Sequence, residues 1–396
     1  MTFTQLIQPL QKALKEQNYS IPTPIQEQTI PALLEGKDVL GVAQTGTGKT
    51  AAFLLPILQH LDGEKSQPKY PRALILTPTR ELAAQIADSI KTYGRHLRLR
   101  GTAIFGGVKQ GNQVAALKRG IDILVATPGR LLDLMQQKHV FLDAVDHFVL
   151  DEADRMLDMG FIPDIRKIIK KLPHKRQTLF FSATMLPQAK ELADSILQDP
   201  ITISITPEKP TVEKIDQHVI MVNKKNKLAV LKDLLEKEDK AIVFTRTKHM
   251  ANRVADKLSK SGISSVPLHG NKSQSARTKA LDGFRCGKVR VLVATDIAAR
   301  GIDVDDISHV YNYELPQEAE SYVHRIGRTA RAGASGIAIA LVDGPECGLL
   351  KSIEKLIAQK IPVMEHKLAG DLTQGPPQKF GGHKGGRGKG RRRRRR

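Results

Sequence analysis

The chain has 396 residues, a formal net charge of +21, 40% hydrophobic residues, only 4% aromatic residues and no tryptophan. That length suits two ordinary domains with sizeable cores, and so basic a chain is expected to meet a polyanion. The scarcity of aromatics argues against an aromatic-rich recognition surface. Two cysteines, Cys286 and Cys347, cannot build a disulfide framework or a zinc site, and the apolar-rich run near 51–61 is too short to span a bilayer. Together with an N-terminus that lacks the basic start and apolar stretch of a signal peptide, this predicts a cytoplasmic protein with no membrane or disulfide partner.

From residue 38 onward, short apolar runs alternate with helical periods. The runs are Val39–Val42, Ala73–Leu76, Ile123–Val125, Phe148–Leu150 and Thr178–Phe181, and a helix between them is spaced at Leu82, Ile86, Ile90 and Tyr93. Alternation of this kind predicts an α/β domain with a parallel sheet wrapped on both faces. Around Pro200, Pro207 and Pro210 the pattern breaks into a last strand and a linker. It restarts with Ala241–Phe244, a helix carrying Met250, Ala251, Val254 and Leu258, and runs at Val289–Val293 and Ile337–Leu341. The expected organisation is an N-terminal lobe at 1–206, a linker at 207–212, a C-terminal lobe at 213–362 and a tail at 363–396. The tail is Gly-, Lys- and Arg-rich, ends in Arg391–Arg396, and has too little apolar surface to offset the cost of ordering, so it is predicted to be disordered. At low salt its charge is expected to raise affinity for a structured polyanion.

The first lobe carries a phosphate-loop pattern. The run ending at Val42 leads into Ala43, Gln44, Thr45, Gly46, Thr47, Gly48, Lys49 and Thr50, followed by a helix. Glycines let backbone N–H groups face phosphates, Lys49 has the reach for the β- and γ-phosphates, and the Thr50 hydroxyl can hold Mg²⁺. Ala43 stands where the general pattern has glycine. A phosphate loop needs a second metal ligand at another strand end, and Asp151, directly after Phe148-Val149-Leu150, supplies one, directly or through water. Glu152 beside it can orient and deprotonate a water. The second lobe has no such loop. It holds Arg325, Arg328 and Arg331 three apart, on or near one helical face and in need of an anion.

Asp151-Glu152-Ala153-Asp154 spells the signature of the DEAD-box helicases, and the blocks in order along residues 3–342 resemble that family. Residues 21–26 look like its Q motif, residues 78–82, Gly106-Gly107 and 127–130 like its first-lobe RNA motifs, and Ser182-Ala183-Thr184 like its coupling motif. Ala330, where most of the family has glycine, resembles the bacterial RhlE-like subgroup. The resemblance implies two tandem RecA-like domains forming an ATP-dependent RNA helicase that melts short duplexes. It implies that Gln26 reads adenine while Tyr19, after Asn18 in place of the usual glycine, stacks on it, with Phe3 upstream. It also implies that Arg325 and Arg328 act as arginine fingers, that Gly301 and Asp303 complete the nucleotide site, with Asp303 on the ribose or the arginines, and that His324 links the γ-phosphate region to Ser182 and Thr184, with Asp154 in the same coupling set.

For RNA, the resemblance points to Pro78, Thr79, Arg80, Gly106, Gly107, Thr127 and Arg130 on the first lobe. On the second it points to Thr245, Arg246, Thr295, Asp296 and Arg300, while Gln274 and Arg277 contact RNA or support the interface. Backbone N–H groups, small hydroxyls and arginines suit phosphates, so the expected partner is single-stranded or short duplex RNA read through its backbone with little sequence preference. Ribosomal precursors and RNA-turnover assemblies both fit. An ATP-gated clamp and a DNA translocase share the core motifs and remain open at this stage.

Overall fold

The computed structural model describes residues 2–43, 46–63, 69–205, 215–236, 240–299, 307–329 and 336–370. The linker and the tail beyond 370 lie outside them, as do Gln44, Thr45, Arg300, Gly301, Asp303, Ala330 and Arg331. No helix of the described residues is long and apolar enough to cross a membrane.

After a 3₁₀ turn at Thr2–Gln5, the first lobe opens with helices α1 (Gln8–Glu16) and α2 (Pro24–Leu34). Then follow β1 (Val39–Val42), α3 (Lys49–Leu61), β2 (Ala73–Leu76), α4 (Arg80–Tyr93), β3 (Gly101–Ile104) and α5 (Gly111–Lys118). The lobe continues through β4 (Ile123–Ala126), α6 (Pro128–Gln136), β5 (His147–Leu150), α7 (Ala153–Asp158), α8 (Ile162–Ile169), β6 (Gln177–Ser182), α9 (Pro187–Ile196) and β7 (Ile201–Ser204). The strands form a parallel seven-stranded sheet in the order β3-β4-β2-β5-β6-β1-β7. Side chains alternate between its faces: Val149 and Ile75 join the core under α2, α3 and α4, while Phe148, Leu150, Leu74 and Leu76 join the core under α6 to α9. Burial on both faces is why these strands read as unbroken apolar runs.

The second lobe runs β8 (Ile215–Met221), α10 (Lys227–Leu235), β9 (Ala241–Phe244), α11 (Lys248–Ser259), β10 (Ser265–Leu268), α12 (Gln274–Arg285) and β11 (Val291–Ala294). It ends with α13 (Asp296–Ala299), β12 (His309–Asn312), α14 (Ala319–Ile326), β13 (Gly336–Val342) and α15 (Cys347–Leu356). Its six strands are ordered β10-β11-β9-β12-β13-β8. Composition groups residues 363–370 with the tail, but the structure attaches them to this lobe. Val363 bridges Val219 in β8, Met364 N donates to Val219 O at 2.8 Å, and Asn223 N donates to Ala369 O at 2.9 Å. His366 and Lys367 reach Asp233 on α10. Backbone pairing along an otherwise open strand edge holds this segment despite its polar side chains. The second lobe therefore extends at least to residue 370.

Candidate nucleotide and RNA clefts

The phosphate loop leaves β1 at Ala43, whose N–H donates to Ser182 O, and enters α3 at Lys49. Gly46 and Gly48 have φ of +89° and +92°, the left-handed region that glycine enters without steric cost. At Gly48 a side chain is excluded twice over, because a Cβ would lie 2.4 Å from Gln26 Nε2 and 2.8 Å from Thr23 Oγ1. Gln26 begins as a helix-start residue: its Oε1 accepts from Thr23 N at 3.0 Å while its Nε2 donates to Gly48 O at 3.0 Å and to the Tyr19 hydroxyl. The block expected to read adenine is thus fastened to the phosphate loop, with the Phe3 ring 5.6 Å from the Tyr19 ring. Asn18 has φ +54°, a conformation asparagine tolerates, which accounts for its standing where glycine is usual.

Lys49 is buried and its Nζ donates to Ala43 O at 2.7 Å; Thr50 follows in the first turn of α3. Facing Lys49, at the end of β5, Asp151 is 2% exposed and its Oδ1 is a buried oxygen with no hydrogen-bond partner. Burial pushes the Asp151 carboxyl up to about 6, against the pull of Lys49 and with a further push from Glu152. A buried carboxylate oxygen left unbonded near the Lys49 charge, with the Thr50 hydroxyl next in the chain after Lys49, is a donor set that fits Mg²⁺, an ion that takes one or two protein oxygens and fills its shell from phosphate and water. No group of three or more metal-ligating side chains occurs among the described residues.

Glu152 sits at φ +55°, ψ +49°, a left-handed position rare for glutamate that turns its side chain off the strand end. Burial alone would raise its carboxyl, but the Arg155, Lys49 and Arg328 charges outweigh it and hold the group below the usual glutamate range. Arg155 Nη1 donates to its Oε2 at 2.5 Å. Asp154 carries the coupling contacts. Its Oδ2 accepts from Ala183 N and Thr184 N, both at 3.2 Å, and from Thr184 Oγ1 at 3.3 Å, while Asp154 N donates to Ser182 Oγ. Asp154 therefore ties the strand-end acids to the Ser182–Thr184 loop.

The second-lobe arginines divide. Helix α14 ends at Ile326, so Arg325 and Arg328 do not share a helical face. Arg325, expected as a finger, is 1% exposed. Its guanidinium forks onto Asp296 at 2.5 and 2.8 Å, donates to Asn312 Oδ1 and Glu314 O, and lies over the Phe244 ring. With its fork engaged inside its own lobe, Arg325 ties α14 to α13, β12 and β9. The same pairing engages Asp296, which keeps part of its side chain in solvent. Arg328, just past the helix end, is the arginine whose charge reaches Glu152 across the lobes. His324 lies one turn before it on α14, where its carbonyl accepts from Arg328 Nε.

A second cleft, of about 350 Å³, gathers Pro78, Thr79, Arg80, Gly106, Thr127 and Arg130 of the first lobe with Arg277 of the second. Thr79 caps α4 and Thr127 opens α6, so the helix starts aim their N–H groups at this cleft. Gly107, at φ +76°, leaves room for Arg80, since a Cβ there would lie 1.9 Å from Arg80 Nη1. Burial and then the neighbouring Arg277 charge depress the Arg80 guanidinium below the ordinary arginine value, as crowded cations without enough anion should be. Arg277 Nε and Gln274 Nε2 both donate to Glu81 Oε1, at 2.7 and 3.1 Å, so these residues support the lobe interface. Phe161 and Gly270 also line the cleft; sequence reasoning missed them, and Gly160-Phe161 after α7 was the available signal. Thr245 is fully buried with its hydroxyl on Thr247 O, so it turns the chain and is not available to RNA. Arg246 is exposed at the strand end and Thr295 is half-buried.

A phosphate loop on one parallel sheet, faced by an arginine of a second sheet of matching order, defines a two-lobed P-loop ATPase with a cationic groove shared between its lobes. Residues 23–192 match the DEAD/DEAH box helicase family and residues 226–333 match the helicase conserved C-terminal domain. The chain is 42% identical to an ATP-dependent RNA helicase CshA of Limosilactobacillus reuteri, covering 92% of this chain and 74% of that protein. It is 46% identical to the RNA helicase CrhR of Synechocystis, covering 88% and 71%. Its fold matches S. cerevisiae Dbp5 bound to RNA and ADP BeF3 with a TM-score of 0.80 and 32% identity, covering 91% of this chain and 94% of that one. The chain belongs to the DEAD-box family of ATP-dependent RNA helicases.

Proposed function

We propose that the two clefts form one machine in which ATP and RNA each complete a contact between the lobes. Gln26 and Tyr19 take the adenine, and the loop from Ala43 to Thr50 takes the phosphates. Thr50 and Asp151 hold Mg²⁺, which neutralises developing phosphate charge when bound. Glu152, kept ionised by its cationic neighbours, orients and accepts a proton from the attacking water. Arg328 supplies the finger, and with Arg325 spent on Asp296 the other arginine left for this role is Arg331. RNA phosphates lie along Arg80, Thr127 and Arg130. A single clamp of this kind bends one strand locally and releases its duplex partner, without long processive tracking. Structured RNA such as ribosomal precursors or RNA-turnover intermediates suits the basic tail, and a cytoplasmic setting suits its two free cysteines. Ala330 followed by Arg331-Ala332-Gly333 favours the RhlE-like subgroup.

The observation that carries this reading is the buried Glu152 carboxylate at the strand end beside Asp151, paired with Arg155 at 2.5 Å and under the charges of Lys49 and, from the opposite lobe, Arg328. Its test is Glu152→Gln. The variant should retain ATP and RNA binding while turnover falls about 10²–10⁴-fold, the span for loss of a general base. Retained turnover, or loss of ATP binding, would reject the assigned role.

A further inference from the structure

Sheet order gives the second lobe a place for a phosphate site. β8 lies beside β13 as β1 lies beside β6, and the turn after β8 enters α10 at Lys227 as the phosphate loop enters α3 at Lys49. A crevice of about 610 Å³ opens at that turn. Its floor is closed to a triphosphate: Lys227 is buried and neutralised by Glu346 and, at 3.6 Å, by Asp343. The rim is different. Lys224 and Lys225 on the turn, and Arg253 and Lys257 one helical turn apart on α11, are exposed, and none has an acidic partner among the described residues. Arg246, paired with Glu314 and Glu346, lines this crevice and also the smaller cleft formed with Asp158, Asp296 and Glu318, so it stands between the strand end of β9 and the cationic rim. Ala369, bonded to Asn223 in the crevice wall, sets the point from which the chain runs on toward its arginine-rich end.

We propose that this crevice is an auxiliary RNA-phosphate site, where a strand leaving the clamp past Arg246 lays its backbone on Lys224, Lys225, Arg253 and Lys257. The proposal rests on the reading of RNA as the clamp's occupant. Single phosphodiester charges suit solvated rim cations, whereas the buried Asp343 and Glu346 repel the concentrated charge of a nucleotide tail.

The test combines Lys224→Gln, Lys225→Gln, Arg253→Gln and Lys257→Gln in the full chain and measures RNA affinity against salt with a non-hydrolysable ATP analogue present. Two single strands are compared, one of about ten nucleotides that fills only the clamp and one of about thirty that extends past it. For the longer strand the slope of log affinity against log salt should fall by roughly 2–3, at about 0.7 for each phosphate no longer neutralised. The shorter strand should bind as to the unaltered chain, and ATPase at saturating short RNA should be unchanged, which also shows an intact fold. An unchanged slope with the long strand, or equal weakening of both strands, would overturn the proposal. So would a second equivalent of ATP bound by the unaltered chain and lost in the variant, since the crevice would then be a nucleotide site. If the unaltered chain fails to bind the short strand with the analogue, the clamp reading itself fails instead.

Discussion

Arg325 and Arg328 stand three residues apart, Arg325 inside a network of its own lobe and Arg328 with its charge acting on Glu152. Arg325 is enclosed by Asp296, Asn312, Glu314 and Phe244, so Arg325→Ala should destabilise the second lobe by about 3–5 kcal/mol, toward the lower end because Asp296 keeps some solvent. Thermal unfolding checks this. Arg328→Ala should leave the chain folded at working temperature and lower turnover by about 10³-fold or more, as removal of an arginine finger does. A folded, inactive Arg325 variant beside an active Arg328 variant would reverse the assignment. The sequence could present the three arginines but not divide them, because Asn312 and Asp296 are distant in the chain and only the fold brings them to Arg325. The phosphate loop and the strand-end acids were legible because their chemistry is local. Gly48 is the local position with least latitude: Gly48→Ala forces a Cβ into Gln26 at a left-handed φ. That substitution should raise the KM for ATP roughly tenfold, or about 1.4 kcal/mol, and erode discrimination between ATP and other triphosphates. An unchanged KM would show that the Q block and the loop are not held together.

Among the elements, strands buried on both faces announced themselves as apolar runs, and β1, β2 and β9 stand at the predicted bounds. Strands β3, β8 and β10 escaped notice because they are edge strands with part of their surface in solvent, and β10 carries Pro267, which only an edge tolerates. β12 escaped for another reason: it is central, but its polar Asn312 is spent on Arg325. Pairings between the elements of the two lobes were the least legible, since Glu81 on α4 and Arg277 on α12 are paired at 2.7 Å with both side chains 7% exposed. If this pair latches the lobes, Arg277→Gln and Glu81→Gln should each reduce the mutual tightening of ATP analogue and RNA, and the double variant should be no worse than either single one. Additive losses would place the two residues in separate roles.

At the scale of the whole molecule, two sheets of matching order are joined so that each lobe's loops complete the other's cleft. The segment 362–364 beside β8 takes the place in the second sheet that β7 takes beside β1, so the basic tail departs from a fixed edge of the second lobe. Because nucleotide and RNA both bridge the lobes, each must favour the same closed arrangement, and the two binding equilibria are linked. The most direct measurement is a closed thermodynamic cycle: the Kd for a short single-stranded RNA with and without a non-hydrolysable ATP analogue, and the Kd for the analogue with and without that RNA. The account predicts tightening by the same factor in both directions, roughly 5–150-fold. Affinities that are independent of each other would contradict it.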